Sequence, residues 1–185
     1  MEKAALRREN FKRLRALTSE AKSEQSAAIV KQLLNEPSFQ SARTVFAYAA
    51  MTSEPDLDSL RLLSPDKRWG LSRVGQDGES LRFREVSPGQ KLVRSEFGFL
   101  EPDPESSPII SNPDLILVPG VGFDPKTMAR LGRGKGHYDR YLAPLMENEP
   151  IPTVIGVCFS VQLISLIPER HDVPMTHLVC ENGRH

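Results

Sequence analysis

The chain has 185 residues, and its 24 Lys plus Arg are balanced by 24 Asp plus Glu, which gives a formal net charge of zero. This length suits one domain over residues 1–185, and the balanced charge excludes a strong overall attraction to nucleic acid or to an anionic membrane surface. The longest clearly aliphatic run, Leu115 to Val118, is far too short to span a bilayer. We therefore expect a cytoplasmic protein that binds neither nucleic acid nor membrane.

The first half of the chain begins with two predicted helices. Residues 3–17 are rich in Leu, Ala, Arg and Lys and contain no Gly or Pro. Thr18 or Ser19 offers an N-cap for a second helix, which should run to about Glu36 and stop before Pro37. Residues 44–49 then read as a buried strand, 57–63 as a short helix, and 68–74 and 81–86 as two partly exposed strands joined by a turn.

The second half of the chain predicts the fold class. Residues 87–112 are dense in Pro and Gly, which favours a long loop with at most one short edge strand. A near-continuous apolar strand follows at 114–120, then a glycine-rich loop, a helix over about 136–146, and a second buried strand at 153–159. This order predicts an open, doubly wound α/β fold, with helices on both faces of a mainly parallel sheet and ligands beyond the carboxyl ends of its strands.

The glycine loop reads R-L-G-R-G-K-G-H-Y-D-R over residues 130–140. Its three alternating glycines place no Cβ in the way of backbone amides that converge on an anion, and the helix that follows directs its positive end to the same place. Arg130, Arg133 and Lys135 add positive charge, which favours a phosphate group as the ligand.

Asp139 is a carboxylate among these cations. It either pairs with an arginine or holds the Mg²⁺ that accompanies a polyphosphate. The loop matches neither the P-loop pattern nor the dinucleotide-binding pattern. A basic turn in which Asp139 and Arg140 simply cap the helix or pair on it is therefore also open.

The loop and its approach, D-L-I-L-V-P-G-V-G-F-D followed by R-L-G-R-G-K-G-H-Y-D-R-Y-L, resemble the 5-formyltetrahydrofolate cyclo-ligase family. K-A-A-L-R at 3–7, M-T-S-E-P-D-L at 51–57, F-G-F-L-E-P at 97–102 and I-P-E-R-H-D near the end extend the resemblance over nearly the whole chain. The resemblance implies a monomeric ligase that uses ATP and Mg²⁺ on a reduced folate. ATP phosphorylates the formyl oxygen of 5-formyltetrahydrofolate, nitrogen 10 attacks the activated carbon, and loss of phosphate leaves 5,10-methenyltetrahydrofolate.

The resemblance also implies the roles of individual residues. It assigns ATP binding to Lys3, Arg7, Arg130, Gly132, Arg133, Gly134, Lys135, Gly136, His137 and Tyr138. It assigns substrate binding to Met51, Glu54, Phe97 and Tyr138, and Mg²⁺ binding to Asp139 and Asp172. Phosphoryl transfer depends on positioning and on neutralising charge, so Arg133 and Lys135 are the predicted catalytic residues.

Three departures from the family pattern stand out. His137 occupies a position where the family usually has tyrosine, which makes ligand contacts there sensitive to pH near neutrality. The segment 123–130 lacks a glycine and is one residue longer. Thr176 replaces an aspartate, so a second acidic contact near Asp172 is in doubt.

Other interpretations compete with these assignments when the residues are taken alone. Lys3 and Arg7 fit a solvated basic helix, Glu54 fits the first turn of a helix, and Asp172 fits an ion pair with Arg170. A sensor that binds a sugar phosphate without chemistry is the main alternative function. A small RNA-binding module is a second one, and the balanced charge and the lack of interleaved aromatic residues argue against it.

Overall fold

A seven-stranded sheet lies at the centre of the protein, for which the computed structural model describes residues 2–95 and 98–185. The strands in chain order are β1 (Thr44–Ala47), β2 (Arg68–Val74), β3 (Leu81–Val86), β4 (Val93–Arg94), β5 (Leu100–Glu101), β6 (Leu115–Val118), β7 (Gly122–Phe123), β8 (Arg130–Leu131), β9 (Thr153–Val157), β10 (His177–Cys180) and β11 (Gly183–Arg184). The order in the central sheet is β11-β10-β9-β6-β1-β2-β3, and the five strands from β10 to β2 are parallel. The antiparallel strands β3 and β11 close its two edges.

Helices cover both faces of this sheet. They are α1 (Lys3–Ala16), α2 (Ser19–Leu34), α3 (Pro37–Ser41), α4 (Asp58–Leu63) and α5 (His137–Met146), with a short 3₁₀ helix at Ser160–Gln162. Side chains alternate between the faces along β1, so Val45 packs in the same core cluster as Ile29 of α2, while Phe46 packs in a second cluster with Leu142 of α5. The predicted α/β fold with a mainly parallel sheet and helices on both faces is confirmed.

The strand order reverses between β1 and β6. The chain moves from β1 outward to β2 and β3 on one side, and from β6 outward to β9 and β10 on the other. Neighbouring connections therefore run to opposite faces at this point, which opens a crevice beyond the carboxyl ends of β1 and β6. Tyr48 and Pro119, which follow these two strands, lie in that crevice.

The predicted elements differ from the observed ones mainly at their ends. Helix α2 ends at Leu34 with Asn35 as its C-cap, and Pro37 begins a new helix because proline is well suited to a first helical turn. The strands predicted at 114–120 and 153–159 end at Val118 and Val157, where the chain leaves the sheet.

Several strand pairings escaped prediction, among them the antiparallel pairing of β7 with β8. The segment 87–112 contains two short strands, β4 and β5, which form a hairpin, and β10 adds a buried parallel strand next to β9. In the parts of the chain that the structure describes, no helix combines the length and the apolar character needed to cross a membrane.

Candidate functional site

The glycine loop joins β8 to the first residue of α5. Gly136 has φ of +67° and is the N-cap of α5, a backbone conformation that side chains with a Cβ rarely adopt. A Cβ at Gly132 would lie 2.7 Å from Nη1 of Arg130, so a larger residue there would displace that guanidinium. The two glycines therefore allow the loop to turn tightly beside Arg130 and to deliver the chain into the helix.

Two arginines hold the loop by its carbonyl groups. Nε of Arg7 donates to the carbonyl oxygen of Gly132 at 2.8 Å, and Nη1 of Arg140 donates to that of Lys135 at 2.8 Å. Helix α1 is itself fixed, since the buried amide of Asn10 donates to the carbonyl oxygen of Val121 at 3.1 Å. The amino-terminal helix and the glycine loop thus form one connected unit.

A basic cavity of about 920 Å³ lies between α1, the glycine loop and the segment that precedes β10. The free N–H groups of the first turn of α5 lie beside it, which gives this end of the helix a partial positive charge. The cavity brings together many of the residues predicted to bind ATP and Mg²⁺: Lys3, Arg7, Arg130, Gly132, Gly134, Lys135, Gly136, Asp139 and Asp172.

The two predicted metal ligands are each paired with a cation. Oδ2 of Asp139 accepts from Nη2 of Arg130 at 2.9 Å, and Oδ2 of Asp172 accepts from Nζ of Lys3 at 2.8 Å. In this structure Asp139 therefore pairs with an arginine, and Asp172 pairs with Lys3 rather than with Arg170. Burial raises the pKa of Asp172, but the N–H of Glu169 and the ammonium of Lys3 outweigh it, so the net pKa is below its usual value.

The surroundings of Asp172 suit a hard cation. One ligand atom each from Glu169, His171 and Asp172 lies within 4.8 Å of the others, and both Asp139 and Asp172 line the same basic cavity. Carboxylate oxygens beside a space for phosphate are the donors that Mg²⁺ prefers. The carboxylates of Asp139, Glu169 and Asp172 therefore fit magnesium, whereas the imidazole of His171 is not one of its preferred donors.

A second cavity, of about 680 Å³, fills the crevice beyond β1 and β6. At its wall Glu54 is 8% exposed, and its carboxylate accepts from the backbone N–H of Met51 at 3.0 Å and from Nη2 of Arg133 at 3.1 Å. A carboxylate held by two donors keeps lone pairs that a ligand can use.

Tyr138 supplies a complementary donor. Its buried hydroxyl lies near the side chain of Ser72 but makes no hydrogen bond of good geometry within residues 2–95 and 98–185, and Tyr138 lines the second cavity. Burial raises its pKa well above the usual value, so the hydroxyl keeps its proton. The Arg130 guanidinium carbon lies 5.3 Å from the centre of the Tyr138 ring. The Tyr138 ring therefore packs against the Arg130 guanidinium and borders the second cavity, where its hydroxyl can donate to a ligand.

The two cavities meet at the glycine loop, and both are lined by Arg130, Gly132, Lys135 and Gly136. The side chain of Lys135 is exposed and makes no ion pair or hydrogen bond with the described parts of the chain. A mobile ammonium at this junction can reach a ligand group on either side.

Several predicted residues lie on a different side of the loop from the basic cavity. Arg133, His137 and Tyr138, all predicted to contact ATP, line the second cavity together with Met51 and Glu54. Phe97, predicted to bind the substrate, lies outside the residues that the structure describes. 

The structure also shows the contacts of two residues that depart from the family pattern, His137 and Thr176. Nε2 of His137 lies 3.0 Å from the carbonyl oxygen of Gly78, so it contacts the turn between β2 and β3. The hydroxyl of Thr176 accepts from the backbone N–H of Val154 at 3.0 Å, so the Thr176 side chain is hydrogen-bonded to a strand of the central sheet.

Sequence reasoning missed part of the second cavity. Phe99 and Leu100 line it at 40% and 48% exposure, and Tyr48 lies at its base, where its hydroxyl donates to the carbonyl oxygen of Pro55. The sequence did contain a signal for this part of the cavity, a Phe-Leu pair inside a long Pro- and Gly-rich segment. Exposed apolar residues on such loops often contact ligands.

The doubly wound α/β sheet carries two cavities that meet at Lys135. This arrangement is typical of a protein that holds two small molecules next to each other. Comparison with known proteins gives the family. The model of the 5-formyltetrahydrofolate cyclo-ligase family matches residues 1–181. The chain belongs to this family and is an enzyme of the ligase class, as the sequence motifs predicted.

Individual relatives agree with this assignment. The 5-formyltetrahydrofolate cyclo-ligase of Mycolicibacterium smegmatis is 39% identical over 148 residues, which cover 75% of this chain and 74% of the relative. The enzyme of the same name from Mus musculus is 25% identical over 192 residues, covering 98% and 94%. The structure of 5,10-methenyltetrahydrofolate synthetase from Aquifex aeolicus superimposes with a TM-score of 0.82 at 29% identity, over 100% of this chain and 92% of that one.

Proposed function

We propose that this enzyme converts 5-formyltetrahydrofolate to 5,10-methenyltetrahydrofolate, with ATP as the phosphoryl donor and Mg²⁺ as the metal. The observation that carries the proposal is the junction of a basic cavity and a less charged cavity at Lys135. A reaction that transfers a phosphoryl group from one bound molecule to another needs such a junction, because its rate depends on holding the two reactants in contact.

The basic cavity suits the nucleotide. Lys3 and Arg7 stand on one face of α1, four residues apart, and the amino-terminal end of α5 faces them across the cavity. Arg7 already fixes the loop through Gly132, so its remaining guanidinium donors are free to bind phosphate oxygens. These contacts would hold the triphosphate with its terminal phosphate at the junction.

The second cavity suits the folate. The carboxylate of Glu54 can accept from the amino and amide edge of a pteridine, and the hydroxyl of Tyr138 can donate to a carbonyl oxygen. Phe99 and Leu100 supply apolar surface for the aromatic ring that follows the pteridine. The formyl group, which is attached to the pteridine, would then lie near the glycine loop.

The reaction proceeds in two steps at the junction. The formyl oxygen attacks the terminal phosphorus of ATP and ADP leaves. The lone pair of nitrogen 10 then attacks the formyl carbon, the carbon–oxygen bond to phosphate breaks, and the nitrogen 10 proton passes to solvent. Lys135 and Arg133 neutralise the charge that develops on the phosphoryl oxygens, and no covalent bond to the protein is needed.

Asp139 and Asp172 would hold the magnesium ion. When bound, Mg²⁺ neutralises charge on the phosphate oxygens and orients them for in-line transfer. Arg130 and Lys3, the present partners of these carboxylates, lie in the same cavity and can turn to the phosphates when the metal replaces them. Each carboxylate thus exchanges one positive partner for another, which avoids leaving a charge unpaired.

Near-ultraviolet absorbance on mixing the protein with 5-formyltetrahydrofolate, ATP and Mg²⁺ tests the proposed function. The methenyl bridge extends the conjugated system, so the product absorbs where the reactant does not. We expect a rise that requires both ATP and Mg²⁺. ATP binding without a rise would mean that the substrate is a different molecule, and a protein that ignores ATP but binds a sugar phosphate would be the sensor instead.

Replacement of Lys135 by alanine tests the role of the junction. Lys135→Ala should lower kcat by roughly 10²- to 10³-fold, because a charge that acts on the transferring group is lost. The exposed ammonium has no partner among the described residues, so the unfolding temperature should not change. Lys126→Ala is the matched control, since Lys126 is also exposed and lines neither cavity. Turnover at the wild-type rate in Lys135→Ala would remove Lys135 from the mechanism.

A further inference from the structure

We propose that Glu101 is the general base that removes the proton from nitrogen 10 of the folate during ring closure. The inference rests on the proposed function and deepens it, because it names the group that receives this proton before the solvent does. In the proposed function the second cavity is the substrate cavity. Glu101 lines this cavity directly after Phe99 and Leu100.

Ring closure leaves nitrogen 10 with a proton that it has to lose. When its lone pair forms the bond to the formyl carbon, the π electrons between that carbon and nitrogen 5 move to nitrogen 5, and nitrogen 10 becomes positively charged. A base that takes the proton returns the N–H electron pair to nitrogen 10. This pair then forms the new π bond to the carbon as the carbon–oxygen bond breaks and phosphate leaves. A positioned general base accelerates a step of this kind by roughly 10²- to 10⁴-fold.

The acidic side chains of the substrate cavity differ in burial and in the use of their oxygens. In the part of the chain that the structure describes, they are Glu54, Asp77, Glu79 and Glu101. Both oxygens of Glu54 already accept hydrogen bonds, from the Met51 N–H and from Arg133. Asp77 and Glu79 are exposed in the turn between β2 and β3. Glu101 is only 6% exposed, so it is the one that combines burial with an oxygen left for the substrate.

One oxygen of Glu101 is fixed and the other is available. Oε1 accepts from the backbone N–H of Val74 at 3.3 Å, which holds the carboxylate against the end of β2. Oε2 lies 3.4 Å from Nη1 of Arg73, but this nitrogen donates to the carbonyl oxygen of Pro102 at 2.9 Å. Among residues 2–95 and 98–185, no group donates a hydrogen bond to Oε2. Buried polar groups nearly always have hydrogen-bond partners, so the unused oxygen indicates an N–H donor on the ligand.

The position of Glu101 along the cavity matches the position of nitrogen 10 along the folate. Nitrogen 10 joins the methylene group of the pteridine to the benzoyl ring. With the pteridine held at Glu54 and the ring against Phe99 and Leu100, this nitrogen would lie at the edge of the ring, beside the residue that follows Leu100. Its N–H can then donate to Oε2 of Glu101, and the proton moves along that hydrogen bond as the nitrogen attacks. Water that enters after the product leaves takes the proton from Glu101.

Pre-steady-state kinetics of Glu101→Gln separates the two chemical steps. The amide keeps an acceptor for the Val74 N–H but cannot take up the proton, so phosphorylation should keep the wild-type rate while ring closure slows by roughly 100-fold. In the variant, ADP measured by rapid quench should therefore form ahead of the methenyl absorbance, whereas the wild-type enzyme forms the two in equal amounts. Glu105→Gln should behave as the wild type. It is the matched control, since Glu105 lies in the same segment, is exposed and lines neither the basic cavity nor the substrate cavity.

Glu101→Asp is a second variant, which keeps a carboxylate beside Arg73 but withdraws its oxygens by one methylene group. ADP should again form ahead of the methenyl product, by a smaller margin. Equal slowing of both steps, or coupled formation of ADP and product at the wild-type rate, would contradict the role of Glu101 as the base. Unfolding of both variants, detected by thermal denaturation, would assign Glu101 to the fold instead. A wild-type protein that forms no methenyl product would overturn the proposed function, and this inference with it.

Discussion

In the proposed function, the single residue Glu54 serves both the fold and the substrate. Its carboxylate is buried at the cavity wall and is held by the Met51 N–H and by Arg133, which also donates to the hydroxyl of Ser53 at 2.8 Å. Removing a carboxylate from water is costly unless hydrogen bonds and an opposite charge replace it. Arg133 supplies this opposite charge, and in the proposed function the pteridine supplies further N–H donors.

Glu54→Gln should weaken folate binding without unfolding the protein. The amide keeps an acceptor for Met51 but loses the charge, and hydrogen bonds to charged groups contribute about 1.5–3 kcal/mol, which corresponds to roughly 10- to 100-fold in affinity. We expect the KM for the folate to rise by this factor, with the Kd for ATP unchanged. Steady-state kinetics and nucleotide titration measure the two values. An unchanged folate KM would mean that the pteridine does not contact Glu54.

At the scale of elements, the turn between β2 and β3 is tied to the start of α5. The carbonyl oxygen of Gly78 lies 3.0 Å from Nε2 of His137, and that of Glu79 accepts from Nη2 of Arg140 at 2.8 Å. The same turn borders both the second cavity and a smaller one of about 380 Å³. Its internal hydrogen bonds therefore shape two cavities at once.

Because of Asp77, the stability that this turn contributes should depend on pH. The backbone N–H of Ser80, then that of Glu79 and the Ser80 hydroxyl, lower the pKa of Asp77 to about 2. A carboxylate with a lowered pKa contributes stability that is present above its unfolded pKa of about 4 and is lost as the pH falls toward about 2. We expect the Asp77 carboxyl carbon to titrate near pH 2 by NMR.

Asp77→Asn provides the matching control. The amide oxygen still accepts hydrogen bonds but cannot titrate, so the variant should lose this part of the pH dependence of stability between about pH 4 and pH 2. The turn itself should stay closed, which amide hydrogen exchange at Glu79 and Ser80 would detect. A titration midpoint near 4 in the wild-type protein would show that the turn does not hold the carboxylate.

Local patterns in the sequence predict the elements and the glycine loop well, because each depends on neighbours along the chain. The alternation of glycines at 132–136, the apolar run at 115–118 and the amphipathic pattern of α2 are examples. Strand β10 escaped prediction because its four residues are stabilised by pairing with β9 rather than by a local signal. The ion pair of Lys3 with Asp172 joins positions 169 residues apart, which no local pattern specifies.

The family resemblance identifies more of the candidate site residues than these local patterns do. It does not specify which of those residues line which cavity. Motifs name residues along the chain, whereas the separation of Arg133 and His137 from the basic cavity arises from the way the loop folds around Gly136. A smaller cavity of about 380 Å³, lined by Arg73 and Arg82, likewise depends on strand register, because these two residues become neighbours only across the ribbon of β2 and β3. Three-dimensional placement therefore adds the division of the site residues between separate cavities.

At the scale of the whole molecule, the basic cavity joins the amino-terminal helix to the carboxyl-terminal third of the chain. Lys3 and Arg7 of α1 face the glycine loop on one side and the Asp172 segment on the other. A ligand that binds all three stabilises the folded protein by mass action, because it does not bind the unfolded chain. Nucleotide binding should therefore be visible in global stability.

We expect ATP with Mg²⁺ to raise the unfolding temperature markedly. At 100 times the Kd the stabilisation is about 2.7 kcal/mol. For a chain of this size that corresponds to roughly 5–10 °C. Arg7→Ala should lose most of this gain, since it removes the proposed phosphate contact and the hydrogen bond that fixes the loop at Gly132. Thermal unfolding with and without ATP and Mg²⁺ measures the effect.

Arg8→Ala is the matched control for this measurement. Arg8 is the next residue of α1, it is exposed, and it lines neither the basic cavity nor the substrate cavity, so its loss removes the same charge from the same helix. If Arg8→Ala reduced the gain as much as Arg7→Ala, the effect would reflect the general charge of α1 rather than a contact with the nucleotide. A full gain in Arg8→Ala and a small one in Arg7→Ala would instead tie nucleotide binding to the face of α1 that holds the glycine loop.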